Sequence, residues 1–237
     1  SPISLHNLKN IEEHISMLRG KYHLSVEQNK RLARSNLTRL VYVNSRFEGL
    51  ITTLQQTQTI IDGLGVDGVS IDDINIIIQL KRGWQYTINS DEGINLDFLK
   101  KANKIVALNE SLAPGELRTG NGAVSTMKGE YIPPQVNQEQ EELFLTQLLL
   151  DKNRTNTDKA LTLMYHLMRN QIFWDGNKRT ATLAANKIMI NSGAGLINVP
   201  LDRWPKWNQL ISEFYFSGDM EELKQWTYDN GIQGVEL

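Results

Sequence analysis

The sequence contains no cysteine, which excludes a disulfide framework, a thiol nucleophile and a cysteine-rich zinc site. Histidine is scarce as well, with four among 237 residues. Long apolar runs are missing. Stretches such as Ile76 to Ile78 and Leu148 to Leu150 fall far short of the roughly 20 residues that span a bilayer, so no membrane partner is expected. Neither sign of charge dominates: 25 basic side chains face 27 acidic ones, for a net charge of -2. That balance gives no general reason to expect a nucleic-acid partner, a local basic patch aside. What is present is globular composition, with 40% hydrophobic and 22% charged residues and enough length to bury a sizeable core. No signal peptide stands at the first residues. The chain starts at Ser1 rather than Met, which leaves an upstream segment open, and a soluble cytoplasmic protein is the expectation.

Helical patterning dominates. Ser25 and Gln28 have the spacing of a capping box, followed by Leu37, Leu40, Val41, Val43 and Phe47 at helical intervals. Gly49 then permits a turn. Leu54 to Ile61 reads as a helix closed by the Gly63 to Gly68 turn region. Another is expected from Ile71 through Trp84 to Ile88, and a fourth, capped by Asp97, carries Leu99, Ile105 and Leu108. Residues 113 to 135 differ in kind, with Pro114, Gly115, Gly120, Gly122, Gly129, Pro133 and Pro134 breaking any helix. Short stretches between them, Val124 to Met127 and Tyr131 to Ile132, suit a loop or β-hairpin over the surface. Helices resume with Glu142 to Leu150, Asp158 to Arg169, Thr180 to Ile190 and Trp207 to Phe216. The fold expected is mainly α with one small β element.

One segment carries chemistry: Gln171-Ile172-Phe173-Trp174-Asp175-Gly176-Asn177-Lys178-Arg179-Thr180-Ala181. An apolar helix runs into it, Asp-Gly-Asn breaks the chain, and a new helix begins. The start of that helix presents unpaired N–H groups and the positive end of its dipole, both of which favour an anion. Lys178 and Arg179 add positive charge at the same end. Asp175 offers a hard oxygen ligand suited to Mg²⁺ bridging phosphate oxygens. Together these make sense as a site for a metal-bound polyphosphate. An ordinary helix–helix turn with a solvated Lys-Arg pair has the same local composition. No Gly-x-x-x-x-Gly-Lys-Ser/Thr loop is present.

Phe173-Trp174-Asp175-Gly176-Asn177-Lys178-Arg179 closely resembles the signature of Fic-domain proteins, His-x-Phe-x-(Asp/Glu)-Gly-Asn-(Gly/Lys)-Arg. Two further stretches resemble that family. Pro114-Gly115-Glu116-Leu117-Arg118 through Tyr131-Ile132-Pro133-Pro134 looks like its flap, a β-hairpin that docks the target segment. Asn44-Ser45-Arg46-Phe47-Glu48-Gly49 looks like the inhibitory helix of members that carry it N-terminal to the core, Ser/Thr-x-x-x-Glu-Gly/Asn. The resemblance implies a Fic-fold helical core with that hairpin. Residues 1 to 112 would be an N-terminal helical region holding the inhibitory-type helix. Residues 113 to 237 would be the core with flap and motif, the two forming one compact unit.

The family mostly transfers AMP from ATP to a Ser, Thr or Tyr hydroxyl of a protein, with the motif histidine as general base. At that position stands Gln171, whose amide can position a hydroxyl but cannot accept its proton. His166, five residues earlier, sits well around the helix from Gln171 and reads as a structural histidine. By resemblance, Asp175 would bind Mg²⁺, Gly176 and Asn177 would line the phosphate loop, and Arg179 would hold phosphate. Lys178 is similar to the Doc-like branch, which transfers a phosphoryl group instead of AMP. Thr182 stands where many members have a second arginine that pairs with the inhibitory glutamate, and Asn44 replaces the usual Ser/Thr. Glu48 would then inhibit through Arg179, or stand as an ordinary solvent-facing helix glutamate. The implied ligands are Mg²⁺ and ATP or a related nucleotide. The implied partner is a target protein docking at Val124, Ser125, Thr126 and Tyr131, and exposed helix faces leave room for a homodimer. Three activities follow: a nucleotide binder in which AMP transfer is impaired, an active Doc-like phosphoryl or AMP transferase, and a catalytically silent interaction module.

Overall fold

A computed structural model describes residues 18 to 235 of the chain. Two short helices, α1 (Val26–Ser35) and α2 (Leu37–Asn44), lead into a 3₁₀ turn at Ser45–Glu48. They are followed by α3 (Leu54–Ile61), α4 (Ile71–Asn89) and α5 (Leu96–Val106). The hairpin of β1 (Val124–Thr126) and β2 (Gly129–Tyr131) separates these from α6 (Gln138–Leu150), α7 (Asn156–Asn170) and α8 (Asn177–Ser192). The C-terminal part holds β3 (Leu196–Ile197), a 3₁₀ turn at Leu201–Arg203, α9 (Trp204–Ser217), α10 (Glu221–Asn230) and β4 (Ile232–Gln233). The fold is mainly α, as expected. No helix among the described residues is long and apolar enough to cross a membrane.

Local chemistry explains most boundaries. The Ser25 hydroxyl accepts from Gln28 N and the Gln28 side chain accepts from Ser25 N, completing the expected capping box. Thr53 and Gln56 form another at the start of α3. Two expectations need correcting. The region from Ser25 to Phe47 is broken at Asn36, which closes α1 and opens α2. The cap of α5 is Asn95, whose side chain accepts from Phe98 N, while Asp97 lies inside the first turn as a dipole-favourable carboxylate. Two elements went unforeseen, α10 and the small antiparallel pair β3–β4.

Helix α8 runs through the middle of the molecule, packed by α7, α5, α4, α1 and β3. Every residue from Arg179 to Ile190 is buried. Its small side chains, Ala181, Ala184 and Ala185, allow that close approach on all sides. At Gly83 of α4 any Cβ would fall 2.6 Å from Val106 and 2.9 Å from Leu183, so a glycine sets the α4–α5–α8 contact. Phe98, Leu99, Ala102 and Val106 form the buried stripe of α5 at helical spacing. Burying each large apolar side chain of this kind stabilises the fold by about 1.5–3 kcal/mol. The hydrophobic core draws on residues from both sides of position 112, from Leu24 to Leu223.

Candidate functional site

The chain leaves α7 at Gln171, a left-handed residue with φ 48°, and enters α8 through Gly176, also left-handed at φ 71°. Gly176 has little alternative, because a Cβ there would stand 3.0 Å from the Ala107 Cβ and strain the backbone besides. Asn177 fixes the turn from inside. Its Oδ1 accepts from Phe173 N at 3.0 Å, and its Nδ2 donates to Phe173 O at 2.9 Å and to Gln171 Oε1 at 3.1 Å. Asp175 Oδ1 accepts from Gly176 N at 2.8 Å. The other carboxylate oxygen makes no hydrogen bond within the described residues, and the side chain is about half exposed at 46%. No group of three or more acidic or histidine side chains among the described residues could hold a metal by itself. A single free carboxylate oxygen is what Mg²⁺ needs when phosphate and water complete its shell.

Behind this turn lies Arg179, with 0% of its side chain exposed. Nη1 donates to Val106 O at 2.6 Å and to Glu110 Oε1 at 3.3 Å. Nε lies 3.1 Å from Glu48 Oε1, and Nη2 lies 3.9 Å from Asp175 Oδ1. Neither Nε nor Nη2 has an acceptor aligned with its N–H, so these are ion pairs without a directed hydrogen bond. Burial raises the Glu48 carboxyl above the ordinary carboxylate value. Asp175 and Glu110 add to that rise, while Arg179 and Lys178 oppose it. Burial likewise lowers the Lys178 ammonium, and Glu48 pulls it back up. Three carboxylates and two cations thus share one small volume.

Glu48 is brought here by the 3₁₀ turn after α2 and released from the helix at left-handed Gly49. Asn44, in the place of the expected Ser/Thr, accepts from Trp84 Nε1 at 2.9 Å and ties the turn to α4. Phe47 packs against Trp204 and Trp207 at ring distances of 4.9 and 5.7 Å. Thr182 is buried and donates back to Lys178 O, so it supplies no charge for Glu48.

Gln171 is held rather than free. Its Nε2 donates to Met168 O at 2.7 Å while its Oε1 accepts from Asn177. His166 is engaged elsewhere. Its Nε2 meets Glu141 Oε2 at 2.7 Å and its ring stacks on Phe144 at 3.6 Å, joining α6 to α7. His23 is exposed, and His6 and His14 lie outside the described residues.

The hairpin has a two-residue turn, Met127-Lys128, with Val124 opposite Tyr131 and Thr126 opposite Gly129. Val124 and Thr126 are partly buried and Ser125 is exposed. Tyr131, named above with the docking residues, turns inward instead: it is 6% exposed, stacks on Tyr215 and donates to Arg169 O at 2.9 Å. It anchors the hairpin. The hairpin base reaches the loop through the bridge of Leu117 with Phe173 and through Arg118. That buried guanidinium donates to Gln171 O at 2.8 Å, Gly120 O at 2.6 Å, Pro134 O at 2.9 Å and Asn170 O at 3.3 Å.

Three members of the site escaped the sequence reading: Asn103, Glu110 and Gln79. Asn103 is fully buried, donates to Asp175 O at 2.8 Å and to Thr180 Oγ1 at 3.2 Å, and accepts from Gly115 N at 2.9 Å. One amide therefore joins α5, the hairpin base and the loop. Gln79 stands behind Glu110. With its amide nitrogen turned to Val106 O, it donates there at 2.9 Å and to Glu110 Oε2 at 3.2 Å, and accepts from Asn109 at 2.7 Å. Only a motif of distant residues could have signalled these, and a single chain displays none.

A glycine-turned helix start, a free carboxylate oxygen and a buried arginine with unaligned N–H groups meet in one loop on a helical scaffold, a combination whose chemistry suits an anion. Residues 93–189 match the model of the Fic/DOC family. The protein adenylyltransferase fic-1 of Caenorhabditis elegans is 26% identical over 207 residues, which cover 78% of this chain and 40% of the relative. This chain therefore spans about two-fifths of that relative's length. Among solved structures, residues 134–508 of Fic-1 from C. elegans superpose with a TM-score of 0.73 at 20% identity. That match covers 95% of this chain and 68% of the other. A Fic family protein from Desulfovibrio desulfuricans G20 gives 0.72 at 18% identity, covering 97% and 72%. At these identities the structural likeness speaks for the fold.

Proposed function

We propose that this chain binds Mg²⁺-ATP at the loop from Asp175 to Arg179, that Glu48 occupies the phosphate side of Arg179 in the resting state, and that AMP transfer to a protein hydroxyl is slow because Gln171 offers no base. The observation that carries the reading is the buried Arg179 guanidinium, with two N–H directions that lack an aligned acceptor, beside a helix start made by glycine. A phosphate oxygen would supply the missing acceptors. Asp175 would hold Mg²⁺ through its free oxygen; bound there, the ion would neutralise phosphate charge and orient the phosphates for displacement. Gly176 and Asn177 would line the phosphate loop, with the N–H groups at the start of α8 turned to the phosphates, and Lys178 would add charge.

Gln171 has no useful basicity near neutral pH, and a general base typically contributes about 10²–10⁴-fold in rate. The relation to protein adenylyltransferases is modest in identity, so AMP transfer is the expected class of reaction and the rate is the open quantity. A target segment would dock along the hairpin, where Ser125 is exposed. Lys178, partly buried beside Glu48, favours one second reading, a Doc-like phosphoryl transfer in which positioning and charge do most of the work. Calorimetry with Mg²⁺ and ATP on the wild-type chain and Glu48→Gly tests the binding. Heat of binding is expected from Glu48→Gly, and none from either chain at millimolar nucleotide would sink the proposal. ATP labelled at the α or the γ position then tells AMP transfer from phosphoryl transfer.

A further inference from the structure

The carboxylates around Arg179 do not stand on it in the same way. Glu110 and Val106 O both meet Nη1, and both are aligned hydrogen-bond acceptors. Glu48 and Asp175 face Nε and Nη2, where no acceptor is aligned. Two edges of the guanidinium are thus distinct, one satisfied and one unsatisfied. Glu110 is itself fixed, because its second oxygen accepts from Gln79, which is buried in α4 and also donates to Val106 O. Val106 closes α5, and the network follows it directly with Asn109 and Glu110. Glu48, by contrast, comes from a separate segment and has no hydrogen bond to hold its carboxylate on Nε.

We propose that Glu110 is a positioning residue that grips Nη1 of Arg179 from behind, so that Nε and Nη2 keep their aim when Glu48 gives way to phosphate. This rests on the nucleotide reading above and adds to it a second carboxylate with the opposite effect. A guanidinium held at Val106 O alone can pivot about that one contact. A second acceptor on the same nitrogen, braced by Gln79, removes the freedom and so lowers the ordering cost of binding. Glu48 competes with phosphate, whereas Glu110 prepares for it. On charge alone the two carboxylates would act alike, and removing either would help an anion bind. The signs of the two substitutions therefore separate the roles.

The experiment is calorimetric titration of Mg²⁺-ATP into the full chain carrying Glu48→Gly, alone and combined with Glu110→Ala, Glu110→Gln or Arg179→Ala, with thermal midpoints measured in parallel. Relative to Glu48→Gly, adding Glu110→Ala should weaken binding about tenfold, the scale of one hydrogen bond to a charged group. Glu110→Gln keeps an acceptor oxygen for Nη1 and should recover most of that loss, although its charge is gone. A purely structural role would lower the midpoint of both variants without rescue of affinity by glutamine. Binding by Glu48→Gly/Glu110→Ala that is equal to or tighter than the parent overturns the positioning role and leaves the nucleotide reading standing. Failure of Glu48→Gly itself to bind overturns both, and that outcome is visible before any Glu110 variant is compared.

Discussion

Asn177 donates to Gln171 Oε1 at 3.1 Å across the turn, and the same Gln171 donates from Nε2 to Met168 O. The residue at the place of the family's base is therefore locked at both ends of its amide. Its backbone is left-handed, a conformation that histidine adopts more readily than most side chains. Gln171→His should fold without strain beyond that already borne by glutamine and restore a group able to take a hydroxyl proton. In a Glu48→Gly background, we expect label from α-labelled ATP to appear on protein, with a gain of about 10²–10⁴-fold over the same chain with Gln171. Equal labelling with and without the histidine would show that the missing base is not what limits transfer.

Glu48 should make nucleotide binding depend on pH. Burial raises its carboxyl above the usual value in the fold, so folded protein binds that proton more tightly than unfolded chain. Stability from this group is therefore greatest at low pH and is lost as pH rises from the ordinary carboxylate value through the raised one. Protonation also removes the charge that sits on Arg179. Affinity for Mg²⁺-ATP should rise in the wild-type chain as pH falls through the raised value of Glu48. The Glu48→Gln chain should lack that component, since protonation of ATP itself is common to both. Parallel pH profiles for the two would remove Glu48 from the phosphate side.

Gly176→Ala should cost both stability and binding. The new methyl meets the Ala107 Cβ at 3.0 Å, and the residue must hold φ at 71°. Each left-handed non-glycine residue costs of order 1–3 kcal/mol. A fall in the thermal midpoint is expected, together with loss of calorimetric ATP binding. An unchanged midpoint would mean that the turn relaxes without penalty.

Asn103→Ala removes the amide that joins three segments, leaving Gly115 N and Asp175 O short of their partners. A buried group left unsatisfied costs about 1–3 kcal/mol. The loss should be seen in chemical denaturation as a lower midpoint with an unchanged slope. Faster amide exchange at Gly115 and through the 171 to 177 loop should accompany it. Exchange confined to α5 would argue that Asn103 serves the helix alone.

Helices were legible where periodicity was long and caps were near. Leu54 to Ile61 and Ile71 to Asn89 match their apolar spacing, and Ser25 with Gln28 forms the box its spacing suggests. The hairpin was legible through the breakers that flank it. Asn95 and Asp97 were exchanged as caps because both side chains suit the role and only backbone geometry decides between them. Helix α10 has little apolar patterning and one short buried stripe, Leu223, Lys224 and Thr227, so periodicity alone gave it no outline. At the site, the consecutive residues 171 to 179 announced themselves. Asn103, Glu110 and Gln79 did not, since each acquires its partners only when distant helices pack. The meaning of Asn44 was hidden for the same reason, its partner Trp84 being forty residues away in sequence.

Phe47 is lodged against Trp204 and Trp207, and Trp207 in turn donates to the hydroxyl of Tyr165 in α7. The residue beside Glu48 is thus a key seated in an aromatic lock built from the far end of the chain. The backbone that carries Glu48 is therefore fixed by residues from the C-terminal helices, while its carboxylate has no hydrogen bond to hold it on Arg179 Nε. The place of Glu48 beside Arg179 is thus set in part by side chains more than 150 residues further along the chain.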